Sequence, residues 1–312
     1  MHGRKSDTTS SESMGPDGQL ASALSLGTTC FRLRSFGTSR HCLRLITAAH
    51  SYHSQAMFGV LLAFSWLFLC SLWWVGALSF GVPLTLLLMM SRTFRSSFFS
   101  WFFVYIIGPI FQPRTIPARR KAFQILKDSV AKRDKSVPLE VLEIGVGEGP
   151  NLQFYPDNCN LTVLDKNKFF ESYYAQNAKM FPHISYQRTV IQPAEDMSDI
   201  KDNSLDVVVS TYLHCSCDDS HEVLREVQRV LKPGGKYVFL EHVCFPKNEL
   251  GLSVQRFMNP LWYLFFNGCT LDRDTAAKIK RAGFSDVICD KYISTSFWMF
   301  LVRHQIVGVA TK

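Results

Sequence analysis

Hydrophobic and polar positions divide the chain into three regimes. Up to residue 56, Ser and Thr mix with small residues and no helical or strand period emerges, which predicts a disordered extension over 1–56. Met57 to Met90 then runs 34 residues without one charge, where about 20 apolar residues cross the hydrocarbon of a bilayer. That run is too long for one straight span and too short for two, and Gly76, Gly81 and Pro83 fall within it. A second apolar run, Phe98 to Phe111, is rich in Phe and Trp and closes at Pro109 and Pro113. The pattern predicts a hydrophobic membrane anchor over 57–113, a hairpin or an in-plane helix, with Trp66, Trp73 and Trp74 at the interface. Arg114 to Lys135 reads as a basic linker and helix.

Beyond Leu139 the period changes. Short branched runs alternate with helix-period stretches, the pattern of an α/β sheet with buried parallel strands. Strands are expected over Leu139–Ile144, Leu161–Leu164, Ile184–Val190, Ser204–Ser210, Lys236–Val243, Val287–Tyr292 and Phe297–Val309, the last antiparallel. Helices are expected over Phe169–Met180, His221–Val230 and Asp274–Ala282. Between the fifth strand and the last helix, Phe257, Leu261, Trp262, Phe265 and Phe266 are too apolar for a surface loop and read as the cap of an apolar pocket or a membrane contact.

Charge changes the picture of the front half only. The net charge of the 312 residues is +8, yet residues 18–127 hold eleven basic residues and no acid, while residues 128–312 hold 21 basic and 23 acidic ones. The globular part has no basic excess, so no nucleic-acid partner is expected. The acid-free stretch with Arg32, Arg34, Arg40 and Arg44 resembles a mitochondrial presequence, but an unstructured basic extension is the preferred reading; a start at Met57 is a further hypothesis. Basic residues flank the apolar block on both sides, Arg40 and Arg44 before it and Arg92 and Arg95 after it, which fits an anchor with both ends cytosolic. Nine scattered cysteines without a Cys-x-x-Cys pair point to reduced thiols.

Candidate chemistry gathers around Val141–Asn151, V-L-E-I-G-V-G-E-G-P-N. A strand ends, the chain turns through Gly145, Gly147 and Gly149, and Pro150 suits the first turn of a helix. The spacing is G-x-G-x-G, not the G-x-G-x-x-G of dinucleotide folds. Glu143 precedes the first glycine by two, a position that repels a pyrophosphate and suits a cation. The string resembles motif I of the class I S-adenosylmethionine-dependent methyltransferases, in which the acid helps hold the positively charged methionine end. Asp165, at the tip of the second strand, has the place of a carboxylate that accepts both ribose hydroxyls. After the third strand, Asp196 is the expected adenine contact with Glu195 in reserve, and Asn151 and Ser210 complete the cofactor set. His214 and His242, at the ends of strands four and five, are the candidate catalytic residues. No metal site is expected, because Cys215-x-Cys217 is tightly spaced and no second ligand pair stands nearby in sequence.

From about Leu84 onward the chain resembles the membrane-anchored thiol S-methyltransferases called methyltransferase-like protein seven. The resemblance rests on L-E-I-G-V-G-E-G-P-N, F-Y-P, D-V-V-V-S-T, L-R-E-V-Q-R-V-L-K-P-G-G, E-H-V and the block around N-P-L-W-Y-L-F-F-N-G-C. It implies a Rossmann-like, seven-stranded, mostly parallel sheet with helices on both faces, a methyltransferase domain over 114–312, and S-adenosylmethionine as cofactor. It also implies a small apolar thiol as acceptor, and an anchor in endoplasmic reticulum or lipid-droplet membranes with the catalytic domain in the cytosol. Residues 1–56 have no counterpart there, and His214 stands where an apolar residue is expected. A lipid, quinone or sterol acceptor, and a non-catalytic membrane protein, are the alternative readings.

Overall fold

The computed structural model describes residues 39–312, and the chain divides into two units, residues 1–76 and 77–312. The expectations for residues 1–38 lie outside the described residues. In the first unit, helix α1 spans Ser39–Gly76, so the extension expected to be disordered is helical from Ser39. No proline or glycine falls between Ser39 and Phe58 to interrupt it. Large apolar side chains along it, among them Phe58, Trp66 and Trp73, are exposed.

The second unit opens with a π-helical turn, Ala77–Gly81, and helix α2, Val82–Met90. Pro83 sits in the first turn of α2, where its missing N–H is not needed. The helical path breaks at Ser91, whose hydroxyl caps helix α3, Arg92–Phe102, by accepting from Phe94 N. A second π-helical turn, Phe103–Ile107, leads into α4, Gly108–Ser129. Two helical stretches, Thr47–Met90 and Arg92–Ser129, are long and apolar enough to cross a membrane by length and composition.

The boundary expected between residues 113 and 114 falls inside α4. Pro109, Pro113 and Pro117 do not end that helix. They stand four apart on its exposed face, where freed carbonyls meet solvent. The opposite stripe, Thr115, Ala118, Arg119, Ala122, Phe123 and Leu126, is buried at helical spacing. The segment read as a basic linker is therefore part of the domain.

The sheet has seven strands: β1 Leu139–Ile144, β2 Cys159–Leu164, β3 Ile184–Val190, β4 Leu205–Thr211, β5 Leu231–His242, β6 Asp286–Ile293 and β7 His304–Thr311. Their order is β3-β2-β1-β4-β5-β7-β6, with β7 antiparallel to both its neighbours. The order reverses between β1 and β4, which opens a crevice at the carboxyl ends of those strands. Helices cover both faces, with α5, Glu171–Ala178, following β2. Residues of α4 pack on Val141, Val207, Val209, Val238 and Leu240. On the other face α6, Ser220–Val230, places Val223, Leu224 and Val227 against Leu142, Ile144, Val208 and Phe239.

Three local expectations fail for local reasons. No α-helix follows Pro150, only a 3-10 turn at Leu152–Phe154, because Tyr155 precedes Pro156 and is held extended at ψ 146°. Strand β5 begins at Leu231, with a register shift against β4 that absorbs Pro233 and Gly234. Phe297–Val302 is a 3-10 helix, and Met299 and Val302, three apart, pack on Leu271. The apolar block after β5 forms α7, Leu250–Phe265, followed by α8, Thr275–Arg281.

Gly308 lies in β7 between two paired strands. A Cβ there would stand 2.0 Å from the Ile288 carbonyl and 2.8 Å from Phe239 Cζ. Gly308→Ala should therefore force β6 from β7 and destabilise the domain by about 1–3 kcal/mol, read by denaturant unfolding.

Candidate active site

The site begins where β1 stops. Gly145 has φ +71° and Gly147 φ +56°, a left-handed backbone that other residues adopt at a strain. A Cβ at Gly145 would meet Leu213 Cδ1 at 2.8 Å, whereas one at Gly147 would meet nothing within 4 Å. The turn thus presses on Leu213 at its start and is open at its middle. Gly149 serves packing: a Cβ there would lie 2.8 Å from Leu152 and 2.9 Å from Tyr174, and the residue does not line the cavity. That cavity is bounded by Gly145, Gly147, Glu148, Asp165, Lys166, Ala194, Glu195 and Leu213.

Asp165 closes one wall. Its Oδ2 accepts from Gly147 N at 2.9 Å and its Oδ1 from Asn167 N at 2.8 Å. Burial pushes its pKa up, opposed by those two backbone donors. Each oxygen keeps a second lone pair, the arrangement that two vicinal hydroxyls require. With the open approach at Gly147 and charged groups of both signs, Arg119, Lys166, Glu148 and Glu195, these residues fit the expected cofactor.

Glu143 lies behind the wall. It is buried, accepts from Asn151 Nδ2 and from the Tyr155 hydroxyl at 2.7 Å each, and does not line the cavity. Burial pushes it up to about 7 against those bonds and the nearby Arg119. Asn151 also receives a hydrogen bond from Arg119 and donates to Thr211 Oγ1 at 3.0 Å. Arg119 is held further by Thr211 and Thr115 hydroxyls at 3.1 Å each, and its guanidinium lies 5.3 Å from the Tyr212 ring centre. The expected direct contact of Glu143 with the cofactor becomes a chain, Glu143 to Asn151 to Arg119, and it is Arg119 that reaches the cavity. Sequence reasoning missed Arg119, since one arginine in a basic helix carries no signal.

Strand parity sorts the remaining candidates. Neighbouring residues on a strand face opposite ways. Glu143, Thr211 and His242 share the face that packs on α4, while Ser210 and Glu241 turn to the α6 face. Ser210 Oγ bonds the Tyr237 hydroxyl at 2.7 Å and Glu241 Oε1 at 2.9 Å, so it stands outside the cavity, one residue out of phase with Thr211. His214 belongs to the same buried network, with Nε2 2.7 Å from the Tyr237 hydroxyl. Burial, helped by Lys278 and Arg273, lowers its pKa to about 3, so it stays a neutral packing residue and reaches neither cavity. Glu241, pushed up to about 7 by burial, accepts from Leu213 N and His214 N and shapes the loop after β4. Asp196 is exposed and accepts from Ser198 N, outside the lining; its neighbour Glu195 lines the cavity and accepts from Asp218 N. His242 does face a cavity.

That second cavity adjoins the first through Phe99, Phe103, Arg119, Tyr212 and Phe266. It is apolar, walled by Phe111, Trp262, Met299 and Val302, with Cys215, His242 and Cys269 at one end. Aromatic residues of α3 and the following π-helical turn, expected in the anchor, therefore line the site.

Glu148 provides a pH handle. It is 5% exposed, its Oε1 has no partner, and burial pushes it up to about 7 against the pull of Arg119. A raised carboxyl favours the folded state in its acid form. That contribution is complete below about 4.5 and is lost as pH rises through about 7. Glu148→Gln should flatten this decline, leaving the variant more stable than the parent at pH 8 in thermal unfolding.

Residues 142–239 match the protein family described as Methyltransferase domain. Human thiol S-methyltransferase TMT1A is 34% identical over 214 residues, covering 68% of this chain and 86% of the human protein. Rat thiol S-methyltransferase TMT1B is 38% identical over 194 residues, 62% of this chain and 78% of the rat protein. A shorter match, 34% over 109 residues, covers 30% of this chain and 44% of the ubiquinone/menaquinone biosynthesis C-methyltransferase UbiE of Desulfotalea psychrophila. With a glycine turn and Asp165 at the switch point of a seven-stranded sheet, and with identity at that level over most of the human and rat enzymes, the chain belongs to the thiol S-methyltransferase family of S-adenosylmethionine-dependent methyltransferases.

Proposed function

We propose that the protein methylates a small apolar thiol at the junction of its two cavities. The observation that carries this reading is that an Asp165-walled cavity with charged groups of both signs adjoins an apolar one lined by sulfur and imidazole groups. Asp165 takes the ribose hydroxyls, Glu195 and Ala194 flank the adenine, Arg119 meets the carboxylate and Glu148 the ammonium. Glu143, Asn151 and Tyr155 fix the position of Arg119. Bound S-adenosylmethionine supplies a methyl group already activated on a positive sulfur. What remains for the chain is alignment and dryness, and Phe99, Phe103 and Phe266, shared by both cavities, exclude water from the junction. A free thiol has a pKa of about 8.5, so part of it is thiolate without a strong base.

The apolar stretches Thr47–Met90 and Arg92–Ser129 support attachment to a membrane, from which an apolar acceptor would reach the second cavity. The family resemblance supports an endoplasmic reticulum or lipid-droplet membrane. Seven free cysteines among the described residues support a catalytic domain on the reducing, cytosolic side. The revised anchor is Thr47–Met90, with the segment from Arg92 onward shared with catalysis.

The apolar cavity and the partial match to UbiE favour a quinone or lipid acceptor as second reading. A panel of alkyl thiol, quinol, sterol and phospholipid acceptors separates the two. The thiol should lead in kcat/KM by at least about tenfold. A preferred quinol or lipid would reassign the acceptor, and cofactor binding with no acceptor turned over would favour a non-catalytic protein.

A further inference from the structure

The apolar cavity ends in three groups that no single stretch of sequence brings together. Cys215 follows β4, His242 ends β5 and Cys269 lies in the turn after α7. All three are buried, and one ligand atom from each lies within 4.8 Å of the others. His242 Nε2 is 3.3 Å from Cys269 Sγ, and its Nδ1 is buried with no hydrogen-bond partner. Trp262 Nε1 donates to the Cys269 sulfur at 3.2 Å. As a thiol, Cys215 donates to the Tyr212 carbonyl at 3.3 Å, a weak bond.

We propose that Cys215, Cys269 and His242 bind one thiophilic divalent ion of the zinc class, whose fourth position opens on the apolar cavity and takes the acceptor thiol as thiolate. Two sulfurs and one imidazole are a ligand set of open, catalytic zinc sites. Metal bonds of about 2.0–2.3 Å place tetrahedral neighbours roughly 3.5 Å apart, close to the spacing of this cluster. Two thiolates neutralise the ion before the acceptor binds, so the resting site buries no net charge. The indole N–H on Cys269 is the outer hydrogen bond that a metal thiolate accepts. Cys217, the nearer cysteine in sequence, takes no part; its sulfur faces the His214 carbonyl and Ser220.

The chemistry rests on the thiol reading above. The S–H bond of the acceptor breaks, its proton passes to water at the cavity mouth, and the sulfur lone pair binds the ion. A metal-bound thiol is deprotonated outright. The thiolate is thereby held at neutral pH beside the methyl donor's cavity. The sulfur–methyl bond of the acceptor forms as the donor's sulfonium–methyl bond breaks, which leaves the donor as a neutral thioether; the product thioether carries no charge, binds the ion weakly and leaves.

Metal content and cobalt substitution test this on the full chain purified in detergent without chelator. The expected result is one zinc per chain. Titration of the metal-free chain with Co²⁺ should give thiolate-to-cobalt absorption and tetrahedral d–d bands, which shift on adding an alkyl thiol and not the alcohol of the same length. Cys269→Ser and His242→Ala should lose zinc while keeping their circular dichroism and cofactor binding, and Trp262→Phe should weaken zinc about tenfold. A chain without zinc that gives no cobalt–thiolate band overturns the proposal, and so does a Cys215–Cys269 disulfide in the purified protein. The cobalt titration of the unaltered chain decides the matter even where a variant fails to fold. None of these readouts needs methyl transfer. Zinc bound with no thiol methylated would sink the acceptor reading and leave the metal site standing, while thiol methylated without zinc would do the reverse.

Discussion

Asp165→Ala should abolish cofactor binding within the range of a calorimetric titration and take methyl transfer with it. Asp165 anchors the site twice. It fixes the glycine turn through Gly147 N and its own loop through Asn167 N, and it offers the cavity two further acceptor positions. Hydrogen bonds to a charged group contribute about 1.5–3 kcal/mol each, so the loss of two weakens binding by roughly a hundredfold or more. Asp165→Asn separates the two duties. An amide keeps one acceptor but turns an NH2 toward a backbone N–H, so its affinity should fall between parent and Ala. A variant that binds like the parent would place the ribose elsewhere.

Arg119→Met should raise the cofactor KM by about a hundredfold, the scale for truncating one partner of a buried, hydrogen-bonded charge pair. The guanidinium bonds Asn151, Thr211 and Thr115, and through Asn151 it is tied to Glu143. Its loss leaves Asn151 Oδ1 without that donor beside a buried acid that burial already pushes up to about 7. Arg119→Lys should recover part of the affinity only, since an ammonium lacks the planar fork that reaches several acceptors at once. Steady-state kinetics with varied cofactor reads both. An unchanged KM in the Met variant would remove Arg119 from the binding site.

What the sequence disclosed and what it hid follow from the same physics. Central parallel strands are buried on both faces and read as near-continuous apolar runs, so β1 and β4 were found within a residue or so of their ends. The G-x-G-x-G turn and Asp165 were legible because left-handed backbone and a strand-tip carboxylate each restrict the residue type. Ser210 and Thr211 could not be told apart, because the face of a strand's last residue depends on its register with β1 and β5. His214 drew attention as a histidine in the right loop, yet Tyr237 on a neighbouring strand holds it away from the cavities. Arg119 was hidden in a helix whose neighbouring basic residues, Arg120 and Lys121, are exposed. The aromatic residues Phe99 and Phe103 read as anchor because burial against a cavity and burial in lipid select the same side chains.

The central claim is that this site methylates thiols, and transfer of a labelled methyl group tests it most directly. Full-length protein in detergent is incubated with S-adenosylmethionine deuterated at its methyl group and a short alkyl thiol, and the acceptor is weighed by mass spectrometry. The account predicts the deuterated methyl thioether, formed by the parent and lost in Asp165→Ala. A folded parent chain that binds the cofactor and returns the thiol unlabelled would contradict it.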